Sequence, residues 1–224
     1  MSQPVVQQHS SRYPIQLPLL YWKRQSGVRT RAGAGWTREL GEGGLTAEFA
    51  ENLDTQTPLR VRIQTDRGPI EMEAKVVWID ATTRPEAENH YGLAITQIAP
   101  DHLQALQDLL LPLSMVAHLG MRLAKDLPVT CRPKNGAGPP LAGRAGEVSR
   151  GGLLLRMAQA VAPGTLIEVT LHSDNGPLVL EGAIVWTQTP EARNPGVLID
   201  HGLRFTSSSA SVSLALGFLL AGRP

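Results

Sequence analysis

Between Leu59 and Trp78 apolar and polar positions alternate. Leu59, Val61 and Ile63 are separated by Arg60, Arg62 and Gln64, and after Asp66-Arg67-Gly68-Pro69 the residues Ile70, Met72, Ala74 and Val76 alternate with polar partners. Successive side chains of a strand point to opposite faces, so the pattern predicts a hairpin with one buried face and a Gly/Pro turn at its tip. The segment from Ile167 to Trp186 reads the same way around Ser173-Asp174-Asn175-Gly176. The period then changes in each region. Pro100 and Asp101 open a stretch with Leu103, Leu106, Leu109 and Leu110 at helical spacing, and Ser207 to Ser211 offer N-caps to a helix spanning Leu214 to Leu220.

These parallels are an internal repeat. Gly43-Gly44-Leu45 returns as Gly151-Gly152-Leu153, Gly68-Pro69-Ile70 as Gly176-Pro177-Leu178, and Val76-Val77-Trp78 as Ile184-Val185-Trp186, all 108 positions on. Tyr91-Gly92-Leu93 matches His201-Gly202-Leu203 at 110, and the stretch from Arg12 matches that from Arg122 at the same spacing, so the copies differ in loop length. The expected division is 1–112 and 113–224. Each copy holds roughly six short strands and one C-terminal helix, and closing the strands into a small antiparallel barrel removes the exposed sheet edges. The expected fold class is all-β with terminal helices: two tandem small antiparallel β-barrels, each followed by an α-helix. Trp78 and Trp186 end the same strand in both copies and are expected to pack in the core or at the barrel rim rather than to stack on a ligand.

Composition narrows the function. A net charge of +1 over 224 residues supplies no field for a long nucleic acid. The single Cys131 excludes an intrachain disulfide framework, and six scattered histidines give no metal cluster. The start, MSQPVVQQHSSRY, lacks the layout of an export signal, and the apolar stretch near Leu109 is broken by Pro112, Ser114 and His118, which predicts a cytoplasmic protein without a membrane span. No GxSxG, HExxH, P-loop or Rossmann fingerprint is present and no catalytic residue is assigned.

The order of features is an Arg before a strand, the strand LPVTC, the turn EVSRGGLLLR, a hairpin ending in Val-Trp, and an aromatic-Gly-Leu strand. It resembles the PilZ domain, the bacterial receptor module for cyclic di-GMP (c-di-GMP), once per copy. The resemblance implies a ligand signature in two parts, RxxxR entering the barrel and [D/N]xSxxG on a strand. Guanidinium groups offer paired donors to phosphate oxygens and to the guanine O6/N7 edge, and a small hydroxyl beside a bare glycine lets a purine approach the backbone. In the second copy Arg122, Ser149 and Gly152 match, while His118 replaces the first Arg and Glu147 replaces Asp/Asn; Arg150 lies within the same turn. In the first copy Arg12 and Gly44 match, but Gln8, Glu39 and Gly41 stand at the other positions, so a weaker second site is expected at Arg12, Glu39 and Gly44. Alternation puts Leu40 and Val148 inward when Glu39 and Glu147 face out. The four glycines of the two Gly-Gly pairs have a structural reading of their own, a turn or bulge needing positive φ.

Charge along the chain adds to this. Arg12, Lys23, Arg24, Arg29, Arg31 and Arg38 occur with no acid among them, and Arg122, Lys125, Arg132, Lys134, Arg144 and Arg150 surround the second signature, an arrangement favouring an anion at both barrel mouths. The expected function is a cyclic di-GMP effector acting on a protein partner of a motility, pilus or polysaccharide system. In this reading the stretch Leu111 to Ala117 carries the order of the Arg122 loop to the joint between copies. The alternative is a degenerate pair that no longer binds nucleotide and serves as a protein-interaction module, with Phe218 and Leu219 on an exposed apolar face.

Overall fold

The structure, a computed structural model, describes residues 11–24, 31–80, 89–113, 122–134, 139–188, 198–207 and 209–222. The first copy forms β1 (Tyr13–Pro14), β2 (Pro18–Lys23), β3 (Gly33–Gly41), β4 (Gly44–Phe49), β5 (Pro58–Thr65), β6 (Gly68–Asp80), β7 (Asn89–Ile98) and α1 (Pro100–Leu113). The second forms β8 (Leu123–Pro133), β9 (Leu141–Ser149), β10 (Gly152–Met157), β11 (Leu166–Ser173), β12 (Gly176–Thr187), β13 (Ile199–Ser207) and α2 (Ala210–Ala221).

Strands β8-β9-β10-β13-β12-β11 close into a six-stranded antiparallel barrel. The first copy has the same topology, with β1 and β2 together replacing β8. Tyr13 pairs with Leu40 and Pro18 with Trp36, both on β3, and the sheet closes through β4, β7, β6 and β5. The interruption between β1 and β2 is held by buried Thr37, whose hydroxyl donates to the Ile15 carbonyl at 2.6 Å and accepts from the Leu17 N–H at 2.9 Å. Thr37 thus satisfies one backbone acceptor and one backbone donor in the break, as burial requires.

The two hairpins are equivalent in register. Thr65 pairs with Gly68 and Ser173 with Gly176, and each hydroxyl donates to the glycine carbonyl, at 2.7 and 2.9 Å. Both glycines adopt φ of 122° and 102°, a region that side chains rarely enter. Bulges also recur, between Val76 and Trp78 and between Ile184 and Trp186. These bulges turn the strand ends outward, and the two tryptophans lie on the outer surface rather than in the core, 39% and 42% exposed. Each indole covers a bare glycine: a Cβ on Gly92 would sit 1.9 Å from Trp78 Nε1, and one on Gly202 would sit 2.1 Å from Trp186 Nε1.

Each barrel has its own apolar core. Amphipathic α1 adds Leu106 and Leu110 to the first, and α2 adds Leu216 and Leu220 to the second. Helix α2, ASVSLALGFLLA, lacks a polar face, and its other side lies against β2 and β3 of the first barrel. A helix this apolar is one covered on more than one side, and along α2 only the small residues Ser211 and Ala215 are exposed. Phe218 and Leu219 are therefore half-buried, Leu219 against the second core, and do not form the exposed face expected of them.

The first barrel answers with outward-facing residues. Trp36 on β3 is 1% exposed and belongs to the second barrel's core; its indole N–H donates to the Ser213 carbonyl at 2.9 Å. The absence of a side chain at Gly217 lets α2 approach, since a Cβ there would lie 3.1 Å from Trp36 Nε1. Leu20 on β2 is fully buried, and every residue of β4 is buried. The sequences PLLYWK and GLTAEF do not alternate because both faces of these strands are covered. Among the described residues no helix is long and apolar enough to cross a membrane.

Candidate ligand-binding site

In the second copy β9 ends at Ser149, Arg150 and Gly151 turn the chain, and β10 begins at Gly152. Ser149 pairs with Gly152 and its hydroxyl donates to the Gly152 carbonyl at 3.1 Å. Neither Gly151 nor Gly152 has a positive φ, and nor do Gly43 and Gly44, which corrects the expected reason for these pairs. At the second glycine of each pair the requirement is space: a Cβ on Gly152 would lie 2.2 Å from the Leu203 carbonyl oxygen, and one on Gly44 would lie 2.3 Å from that of Leu93, whereas one on Gly151 would meet nothing within 4 Å. The neighbouring strand approaches too closely for any side chain.

Leu123 pairs with Val148, so Arg122 enters at the end of the barrel where β9 carries Ser149. Val148 is fully buried inside the barrel, leaving Glu147 outward, with its Oε2 3.8 Å from Arg122 Nη1. Both side chains are about half exposed, so this pair adds little to stability and leaves the guanidinium able to change partner. Arg122, Glu147, Ser149 and Gly152 thus meet at one mouth. His118 and the stretch 114–117 lie outside the described residues.

The first copy repeats the geometry with a different outcome. Leu40 is buried inside and Glu39 faces out. Arg12 donates to the Thr46 hydroxyl at 3.5 Å, and that hydroxyl donates to Glu39 Oε2 at 3.4 Å. At Gly41, where the second copy has Ser149, a Cβ would lie 2.6 Å from the Ser11 carbonyl oxygen and 3.3 Å from Arg12 Cγ. The chain entering the first barrel fills the place of the missing hydroxyl.

The basic run from Arg12 to Arg38 is not the open positive field its sequence predicts. Lys23 pairs with Glu51 at 2.5 Å, Arg24 with Glu73 at 3.2 Å and Arg38 with Glu48 at 3.1 Å; Arg29 lies outside the described residues. Acids remote in sequence are brought in by strand pairing. Around the second signature Lys134 meets Glu181 at 2.5 Å, and Arg144 pairs with Asp126, holding that exposed carboxyl below its ordinary range by a hydrogen bond.

Arg150 reaches across to the first barrel. Its Nη1 lies 2.5 Å from Oε2 of Glu48, and its guanidinium stands 5.6 Å from the centroid of the Trp36 ring. Glu48 is only 5% exposed although it faces out of its own barrel; its Oε1 accepts from Arg38 at 3.1 Å and lies 3.5 Å from His90 Nε2. Sequence reasoning missed Glu48 and Trp36. The available signal was the loss of alternation in β4 and a charge reversal between copies, Glu42 against Arg150 and Glu48 against Arg156.

The family model for the PilZ domain matches residues 9–111 and, a second time, residues 121–221. The chain belongs to the PilZ domain family. Similar solved structures include the PilZ domain of YcgR from Escherichia coli with c-di-GMP, at 12% identity over 49% of this chain and 92% of that one, TM-score 0.39. The inhibitor of motility MotI/DgrA of Bacillus subtilis matches at 9% identity over 91% and 92% of the two chains, TM-score 0.36. The PlzA protein of Borreliella burgdorferi in complex with c-di-GMP matches at 13% identity over 91% and 87%, TM-score 0.35. A comparison with curated proteins finds no match. Both PilZ copies of the present chain are complete barrels, and they differ at the signature rather than in the fold.

Proposed function

We propose that this tandem PilZ protein is a cyclic di-GMP effector in which the second copy, taken as residues 113–224, receives the nucleotide. Arg122 and Arg150 supply guanidinium donors to phosphate and guanine, and His118 stands at the first signature Arg. Ser149 and Glu147 offer a hydroxyl and a carboxylate to the base edge, and bare Gly152 admits it. The observation that carries this reading is the meeting of Arg122, Glu147, Ser149 and Gly152 at one barrel mouth, set against a first copy whose equivalent volume is filled by Ser11. Arg12, Glu39 and Gly44 then form a weaker site or none. The effector acts in the cytoplasm on a protein partner of a motility, pilus or polysaccharide system.

Calorimetric titration with cyclic di-GMP tests the assignment. Arg122→Ala should abolish or greatly weaken binding, because a charge-assisted hydrogen bond to phosphate contributes about 1.5–3 kcal/mol, roughly tenfold or more in affinity. Arg12→Ala should change it much less. Circular dichroism controls for the fold, since arginine stems also pack. Equal losses would mean that both barrels share one site. No heat at high nucleotide concentration would instead select a degenerate pair serving as an interaction module.

A further inference from the structure

The residue between Ser149 and Gly151 is held by the other barrel. Arg150 lies against Glu48 Oε2 at 2.5 Å and over Trp36, and both partners are buried on the outer face of the first barrel. Glu48 is an unusual residue to bury on a strand. It is tolerated because its Oε1 is engaged by Arg38 at 3.1 Å, with His90 at 3.5 Å, while Oε2 faces Arg150. The equivalent positions in the repeat carry the opposite charges, Glu42 in the first turn and Arg156 on β10, and Arg156 meets Asp200 at 3.3 Å instead. The arrangement around Arg150 is therefore specific to the contact between barrels and not a property of the repeated domain.

We propose that Glu48 is a positioning residue for the second copy's ligand turn: its carboxylate holds Arg150 against the first barrel, and a phosphodiester bound at the turn has to take Arg150 from it. The inference rests on the reading of the second copy as a cyclic di-GMP site. A carboxylate and a phosphate compete for the same flat pair of donors. When Arg150 turns to the phosphate, Glu48 keeps Arg38 on one oxygen and loses its inter-barrel partner on the other, so occupation of the site loosens the contact between barrels. By linkage the reverse holds, and a loosened contact raises nucleotide affinity by the same factor.

The full chain is titrated calorimetrically with cyclic di-GMP as wild type, Glu48→Gln, Arg38→Gln, Arg150→Gln and the Glu48→Gln/Arg150→Gln double variant. Glu48→Gln should bind about tenfold more tightly, within the usual range of coupling between sites. Arg38→Gln removes the competitor for Glu48 without touching Arg150, and should leave affinity unchanged or lower it. Arg150→Gln should bind more weakly, and adding Glu48→Gln to it should change nothing further. A second readout is the indole N–H resonance of Trp36, one of 4 tryptophans, beneath the Arg150 guanidinium. Nucleotide should shift this resonance in wild type, free Glu48→Gln should already be displaced in the same direction, and Arg150→Gln should show no ligand-dependent shift.

Wild-type affinity in Glu48→Gln, or tighter binding in Glu48→Gln and Arg38→Gln alike, overturns the role of Glu48 and leaves the nucleotide reading standing. Silence of the wild type with binding by Glu48→Gln supports both. Silence of both proteins overturns both.

Discussion

Replacing Trp36 by Ala tests whether the two PilZ barrels form one cooperative unit. Trp36 contributes nothing to the first barrel's core, since it faces outward, yet it is 1% exposed beneath α2 and packs with the second core. Truncating a buried Trp typically costs about 3–5 kcal/mol. The substitution also strips the Ser213 carbonyl of its 2.9 Å hydrogen bond and leaves the Arg150 guanidinium without the ring beneath it. The first core stays intact, so the loss falls on the contact between barrels and on the edge of the second core that Trp36 joins. With a urea dependence of roughly 2–3 kcal/mol per molar, the transition that breaks this contact should move down by about 1–2 M. Far-ultraviolet circular dichroism would follow both barrels, and thiol labelling at Cys131, buried in the second barrel, would follow that barrel alone. Wild type should give coincident transitions by both probes and Trp36→Ala should separate them. Coincident curves with a midpoint within about 0.3 M of wild type would refute the reasoning, because a 3 kcal/mol loss cannot hide in so small a shift.

Other outcomes follow from the local geometry. Gly152→Ala should cost about 1–3 kcal/mol in urea denaturation, because its Cβ meets the rigid Leu203 carbonyl at 2.2 Å, whereas Gly202→Ala meets the half-exposed Trp186 ring, which can swing away at lower cost and with a red-shifted emission. Gly41→Ser, which restores a signature residue to the first copy, should destabilise that barrel without creating nucleotide binding in calorimetry, since Ser11 fills the space. Burial pushes the Cys131 thiol up to about 12, so maleimide at pH 8 should label it no faster than the barrel opens, and a fast, stoichiometric reaction in native protein would contradict this. Because that folded-state pKa is raised, the stability it reflects is full below the ordinary thiol value of about 8.5 and should fall as pH rises from there toward 12, measurable as a declining urea midpoint.

The barrels were legible because repeat and alternation are local signals: the hairpins at Asp66-Arg67 and Asp174-Asn175, the start of α1 at Pro100 and the Ser209 cap of α2 sit where the sequence places them. The outward position of Glu39 and Glu147 followed from the period of a strand. The docking of the two barrels was not read, since it depends on outward residues of β2 and β3 meeting α2, and on Glu48 of β4 meeting Arg150, across a long sequence separation. The signal was nonetheless present in the unbroken apolar run of α2 and in Leu20 and Trp36, which have no use on a solvated surface. Counting charge along the chain misled for the same reason. Glu51 and Glu73 neutralise Lys23 and Arg24 only after the strands have paired, and a stretch rich in basic residues need not be a positive surface.

Trp36 and Ser213 are 177 residues apart, which orders events during synthesis. The first barrel contains all of its own strands and α1 well before α2 is made, so it can close while its outer face, with Leu20 and Trp36, still waits for its cover. At ordinary translation rates of about 5–20 residues per second, the roughly 100 residues between α1 and α2 make the wait about five to twenty seconds. During that interval the nascent chain carries a formed domain with an apolar patch, the kind of surface that chaperones hold and that neighbouring chains on a polysome adhere to. Slow decoding between the copies would lengthen this exposure, and a chain cut short before Ala210 would never end it.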